Sequence, residues 1–166
     1  MAAPVGLICD LVARPFFSGK RNENFVCVID TSTLIYLDNL DLLQRVISVF
    51  SPATIDRVID EFGRHPEGLA ILDAGDGSTD FLLVQQAAIC RAVVFSEDKK
   101  VLLAAGRHGL EYYNTLMIVL ALYAREEISR NRCGSSLAEL KSFARYGENV
   151  WACGRQLWEE LCRKNN

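Results

Sequence analysis

No stretch of this chain stays apolar for the ~18 residues that a bilayer-spanning helix needs, and no basic segment followed by an apolar run opens it. Both absences predict a cytoplasmic protein that does not enter the membrane. No two cysteines have CxxC spacing, and the two histidines, His65 and His108, flank turns without ligand spacing, which argues against a zinc site. Cys9, Cys27, Cys90, Cys133, Cys153 and Cys162 therefore read as reduced thiols, with Cys27 and Cys90 acting as small apolar residues within apolar runs. A basic excess is missing too. The formal net charge is −3, so no overall field draws the chain to nucleic acid or to an anionic surface. Carboxylates that hold cations leave that balance, so nucleic-acid chemistry through bound metal remains open. Internal repeats and low-complexity segments are also absent.

What is present is a core. Half of the 166 residues are apolar and mean hydropathy is +0.11, enough for one domain that buries roughly 68–70% of its unfolded surface. Residues 1–24 mix polar and apolar side chains without a period, contain Pro4 and Pro15, and end in a polar stretch, so they read as an N-terminal extension. Phe25 to Ile29 is an unbroken apolar run rich in β-branched residues, as a strand buried on both faces of a parallel sheet requires. A helical stretch follows to about Phe50, divided near Asn39 and Asp41. Ser51 to Thr54 is a short connection with room for a brief strand. Ile55, Val58, Ile59 and Phe62 then recur at helical spacing until Gly63 and Pro66.

A loop rich in glycine and aspartate at 73–79 leads into a helix from about Asp80 to Cys90 that is apolar almost all round, which predicts an interior position. Ala92 to Phe95 reads as a second buried strand, Asp98 to Arg107 as a helix, and Leu110 to Tyr113 as a third strand. Helices are expected at 114–128, 136–145 and 149–163, the last two after a turn at Cys133-Gly134-Ser135. Strands alternating with helices in this way indicate an α/β fold, a three-layer α/β/α sandwich with a central parallel sheet joined by right-handed crossovers, and extra C-terminal helices as cover. The expected division is an extension at 1–24, a core at 25–128 and a helical addition at 129–166.

Ligands of open parallel sheets gather at the carboxyl ends of the strands, and acids stand where those ends fall. Asp30 closes the first strand, Asp98 follows Phe95 by three residues, Glu61 lies on the helix after the short connection, and Asp80 opens the apolar helix. Carboxylates brought together raise one another's pKa, and a hard divalent cation, Mg²⁺ or Mn²⁺, relieves the repulsion. A cation bound there could lower the pKa of a water and neutralise phosphoryl oxygens, and a pair would stand about 3.5–4 Å apart. Helical projection alone does not choose Glu61 over Asp56.

The settings of these acids, Val-Cys-Val-Ile-Asp30-Thr-Ser-Thr, Asp-Arg-Val-Ile-Asp-Glu61-Phe, Gly-Ser-Thr-Asp80 and Val-Val-Phe-Ser-Glu-Asp98-Lys-Lys, resemble in order the four acidic motifs of PIN-domain nucleases. Leu110 to Leu116 also resembles that family's later strand-to-helix passage, so the likeness spans roughly 25–128. The resemblance implies a metal-dependent endoribonuclease and frequently a homodimer, with many members acting as toxins held by an antitoxin. It prefers Glu61 to Asp60 or Asp56 and makes Asp30, Glu61, Asp80 and Asp98 the metal ligands and activators of the attacking water. Ser32 and Ser96 would support them, with Glu97 sharing or replacing the part of Asp98, and Asn114 falls near a position that is polar or glycine in relatives. Lys99, Lys100, Arg107 and Arg64 are the candidates to meet RNA phosphates.

Each acid also has a plainer use. Asp30 and its hydroxyl neighbours suit a helix N-cap worth about 1 kcal/mol, and Asp80 and Asp98 suit first helical turns at about 0.3–1 kcal/mol. Tyr112 and Tyr113 read as packing rather than base stacking, and Trp151, Leu157, Trp158 and Leu161 suit a partner surface and tertiary packing equally well. The main alternative function is a non-catalytic RNA-binding or protein-interaction module on the same fold. A haloacid-dehalogenase-like phosphatase ranks lower, because the position two after Asp30 is Ser32 rather than a second acid.

Overall fold

The structure, a computed structural model, describes residues 12–19 and 26–165. These fall into two compact units, one of residues 26–115 and one of residues 12–19 with 116–165.

The first unit carries the sheet. Its strands are β1 (Cys27–Ile29), β2 (Ala53–Ile55), β3 (Ala70–Leu72), β4 (Val93–Phe95) and β5 (Tyr112–Tyr113), all parallel in the order β3-β2-β1-β4-β5. The two central strands are the two apolar runs, paired in register with Cys27 beside Val93 and Ile29 beside Phe95. Every side chain of β1 is buried. Buried Thr54 donates its hydroxyl to the Ile29 carbonyl at 2.7 Å, which ties β2 to the end of β1. Between the strands run α2 (Thr31–Asn39), α3 (Leu43–Phe50), α4 (Asp56–Phe62), α5 (Thr79–Cys90) and α6 (Lys99–Arg107). The break between α2 and α3 comes at Asp41, which takes φ 54°, and α4 stops at Gly63, whose φ of 84° suits glycine.

Helix α2 packs on α3 and α4, whereas α5 packs on α6 and lies across β1, β2 and β4. Strands β1, β2 and β3 step one way along the sheet, and β4 and β5 step the other way. With right-handed crossovers that reversal puts the two helix groups on opposite faces, giving a three-layer α/β/α sandwich. The reversal point lies between β1 and β4.

Two expectations for this unit are corrected. Strand β3 is an addition to the expected elements: Leu69 to Leu72 is a four-residue apolar run, of which Ala70 and Ile71 are exposed at a sheet edge. Helix α5 is not interior. Leu82, Leu83, Val84 and Ala87 are buried, but Phe81 and Ile89 are 60% and 68% exposed and Cys90 also faces solvent. One face of α5 covers the sheet, and its other apolar face is left open.

The second unit contains α1 (Pro15–Ser18), α8 (Arg130–Phe143), α9 (Glu148–Lys164) and α7 (Thr115–Ala124), which leads into it from the first unit. Phe16 and Phe17 are buried edge to face with ring centres 4.9 Å apart. Arg125 donates from Nε to the Phe16 carbonyl at 2.8 Å and from Nη2 to the Pro15 carbonyl at 2.7 Å. At Gly154 a Cβ would stand 2.7 Å from the Leu116 side chain, so glycine lets α9 approach α7 closely. The predicted turn at 133–135 is instead helical, because the Ser129 hydroxyl accepts from the Arg132 N–H at 3.1 Å and starts α8 six residues earlier than expected. Helix α7 ends at Ala124 rather than 128. No described helix is long and apolar enough to cross a membrane.

Candidate functional site

The carboxyl ends of β1 and β4 meet at the reversal point, and the residues that leave them are stitched together by hydroxyls. Asp30 continues the ladder, its N–H donating to the Phe95 carbonyl at 3.0 Å, and then caps α2. Its carboxylate is buried. Oδ1 accepts from the Thr33 N–H at 2.8 Å and the Ser32 hydroxyl at 2.9 Å, and Oδ2 accepts from the Ser96 hydroxyl. Burial pushes the Asp30 pKa up, and the bonds from Ser96, Thr33 and Ser32 oppose that rise without cancelling it.

The same serines hold the loop after β4. Ser96 accepts from the Asp98 N–H at 3.0 Å, and Ser32 accepts from the Glu97 N–H at 3.3 Å. Glu97 turns inward, where its Oε1 accepts from the Thr33 hydroxyl at 3.2 Å and from the Thr115 N–H and hydroxyl at 2.8 and 2.5 Å. It thus satisfies the start of α7. Asp98 caps α6 by accepting the Lys100 N–H at 2.7 Å, and its side chain is exposed.

Two further acids arrive from the helices. Glu61, near the end of α4, accepts from the Thr31 hydroxyl at one oxygen and from the Thr79 hydroxyl at the other, each at 2.6 Å. Asp80 stands in the first turn of α5, beside Thr79. Its pKa is raised by partial burial, then by the charges of Asp98 and Glu61, while Lys100 pulls it down. The Asp98 and Glu61 carboxylates thus lie close enough to Asp80 to oppose its ionisation.

Asp30, Glu61, Asp80 and Asp98 accordingly line one pocket of about 290 Å³, together with Glu97, Ser32, Thr31 and Thr79. Asp56 and Asp60 are not among its walls, so of the three acids of α4 Glu61 is the one that borders the pocket. Ser96 touches Asp30 from beneath. Asn114 precedes Thr115 and is half-buried outside the pocket lining. Of the basic candidates, Lys100 alone stands beside the acids. Arg64 is paired with Asp38 and lies over the Phe62 ring at 5.0 Å, and Arg107 is in the last turn of α6, at the end away from Asp98. Lys99 is exposed outside the lining, and Lys100 lines a neighbouring cleft that it shares with Asp80.

The residues that sequence reasoning passed over are the threonines. Thr31, Thr33, Thr79 and Thr115 each begin or nearly begin a helix and each donates to a carboxylate of the site. Their position directly after strand ends or a turn was the available signal. Outside the site, the His65 ring nitrogen lies 2.7 Å from the Leu69 carbonyl and holds its own loop. The five described cysteines are free, and exposed Cys90 departs from the buried role expected of it. Cys9 lies outside the described residues.

The donors are all oxygen, the type that a hard divalent cation takes. Asp80 and Asp98 face the pocket with oxygens that a cation could use, and the crowding recorded in the Asp80 pKa is what such a charge relieves. In the present conformation Glu61 is held by two hydroxyls and Glu97 by Thr33 and Thr115, and no group of three His, Cys, Asp or Glu side chains is arranged as a metal-ligand set among the described residues. A cation held by Glu61 would share its oxygens with the Thr31 and Thr79 hydroxyls. No family model, curated protein or solved structure matches the chain, so the chemistry of this pocket rests on its own residues.

Proposed function

We propose that the chain is a divalent-metal-dependent endoribonuclease that hydrolyses RNA phosphodiester bonds at the carboxylate pocket. The observation that carries this reading is the shared pocket of Asp30, Glu61, Asp80 and Asp98 at the reversal point of a parallel sheet. The order of the four motifs, similar to that of PIN-domain nucleases, supports it. Asp30, Asp80, Asp98 and Glu61 would hold Mg²⁺ or Mn²⁺, which when bound supplies an activated water and neutralises charge on the phosphoryl oxygens. Ser96 and Ser32 keep the Asp30 carboxylate oriented, and Glu97 fixes the loop after β4 against Thr33 and Thr115. Free thiols at the five described cysteines suit a cytoplasmic setting. A role as the toxin of a toxin–antitoxin pair, acting as a homodimer, belongs to the same reading.

A second reading, a non-catalytic RNA-binding or protein-interaction module, is favoured by one observation. Glu61 and Glu97 already accept hydroxyl protons, and Asp98 caps a helix, so these acids have structural work. Cleavage of a labelled, mixed-sequence single-stranded RNA with Mn²⁺, by wild type and Asp30→Asn purified in parallel, separates the two. Cleavage by the wild type alone is expected. Equal cleavage by both preparations, or none by either, overturns the nuclease reading in favour of the module.

A further inference from the structure

Beside the carboxylate pocket, the open apolar face of α5 and the adjoining face of α6 enclose a cleft of about 740 Å³. Its walls follow helical spacing, with Phe81, Val84 and Ile89 on α5 and Val101 and Ala104 on α6, and small side chains at Ala88 and Ala104 keep it open. Phe81 and Ile89 are more than half exposed, so the cleft is entered directly from solvent. Its polar groups are few and placed. Gln85 offers one amide along the α5 wall, Lys100 stands in the first turn of α6, and His108 stands at the far end of that helix. Asp80 lines this cleft and the carboxylate pocket alike, so the two adjoin at that side chain.

We propose that this cleft is a nucleobase subsite, which takes the base of a nucleotide whose phosphate lies toward Lys100 and the carboxylate pocket. A base has two apolar faces, a polar edge and a tethered phosphate, and it calls for an apolar slot, an edge-bonding amide and a cation at the mouth. Phe81, Gln85 and Lys100 supply these in turn. An acyl chain would use the apolar walls but neither the amide nor the cation beside the acids. The proposal deepens the reading of the pocket as a nucleic-acid site and rests on it.

Binding to the full chain without added metal tests it independently of cleavage. Titration with adenosine 5′-monophosphate, followed by NMR, should shift resonances of α5 and α6, and ribose 5-phosphate should bind at least about fivefold more weakly. Phe81→Ala, at an exposed position, should weaken nucleotide binding about five- to a hundredfold, and Ala104→Leu, which fills the slot, should abolish it. Leu103→Ala, exposed on the same helix but outside the cleft, should leave binding unchanged. Equal binding of ribose 5-phosphate, no nucleotide binding, or binding that survives Ala104→Leu overturns the proposal. A dimer in sedimentation that Phe81→Ala and Ala104→Leu both dissociate also overturns it, assigning the cleft to a second copy. RNA cleavage scored separately distinguishes the two readings: cleavage without nucleotide binding removes the subsite alone, and binding in the cleft without cleavage removes the nuclease alone.

Discussion

The Ser96 hydroxyl donates to the buried carboxylate of Asp30 while accepting the Asp98 N–H at 3.0 Å, so one side chain couples the acid after β1 to the loop after β4. The carboxylate is dry yet well bonded, and the balance between those two facts sets how it responds to pH.

Burial raises the Asp30 pKa above its ordinary 3.8, so the folded state keeps this proton to higher pH than the unfolded chain does. Stability therefore falls as pH climbs from about 3.8 through the folded value, where the buried carboxylate ionises. Asp30→Asn removes that loss. The variant should be more stable than wild type at neutral pH, with the gain fading as pH falls through the folded value and gone by about 3.8. Urea denaturation across this range measures it, and a constant difference at all pH values would show that the serines fully offset the burial.

Replacing both Thr31 and Thr79 by valine frees the two oxygens of Glu61. Tighter Mn²⁺ binding than in wild type is expected by calorimetric titration, with the tightening absent when Glu61→Gln is added. Weaker binding in the double variant would mean that the hydroxyls position Glu61 for the cation rather than compete with it.

Two helical glycines should respond in opposite directions to alanine. At Gly154 the new methyl group meets buried Leu116 at 2.7 Å, so Gly154→Ala should cost about 1–3 kcal/mol of overpacking. At Gly134, inside α8, nothing lies within 4 Å, and Gly134→Ala should stabilise by roughly 0.5–1 kcal/mol. Thermal unfolding of the two variants reads both signs directly.

The parts of the fold that were legible in the residues are those where burial and local chemistry agree. Strands β1 and β4 lie in continuous apolar runs because both of their faces are covered, and the division of the following helix at Asn39 and Asp41 reflects a backbone turn that Asp41 tolerates. Edge strand β3 lies in a short apolar run although two of its three residues are exposed, and α5 shows why hydropathy does not measure position: outward Phe81 and Ile89 are as apolar as its inward residues. At the site, acids following strand ends could be located from the order of elements. Which acid of α4 faced the pocket depended on Thr31 and Thr79 reaching it from two other helices, a relation between distant segments that periodicity does not contain.

The Arg125 bonds to the carbonyls of Pro15 and Phe16 close a loop of about 110 residues, with residues 26–115 forming a unit of their own inside it. The order of synthesis then constrains the order of folding. The sheet unit is contiguous and can form while the chain is still being made, whereas Phe16 and Phe17 precede it and belong to a unit completed only by residues 116–165. For that interval Phe16 and Phe17 are an exposed aromatic pair, open to a chaperone or a protease.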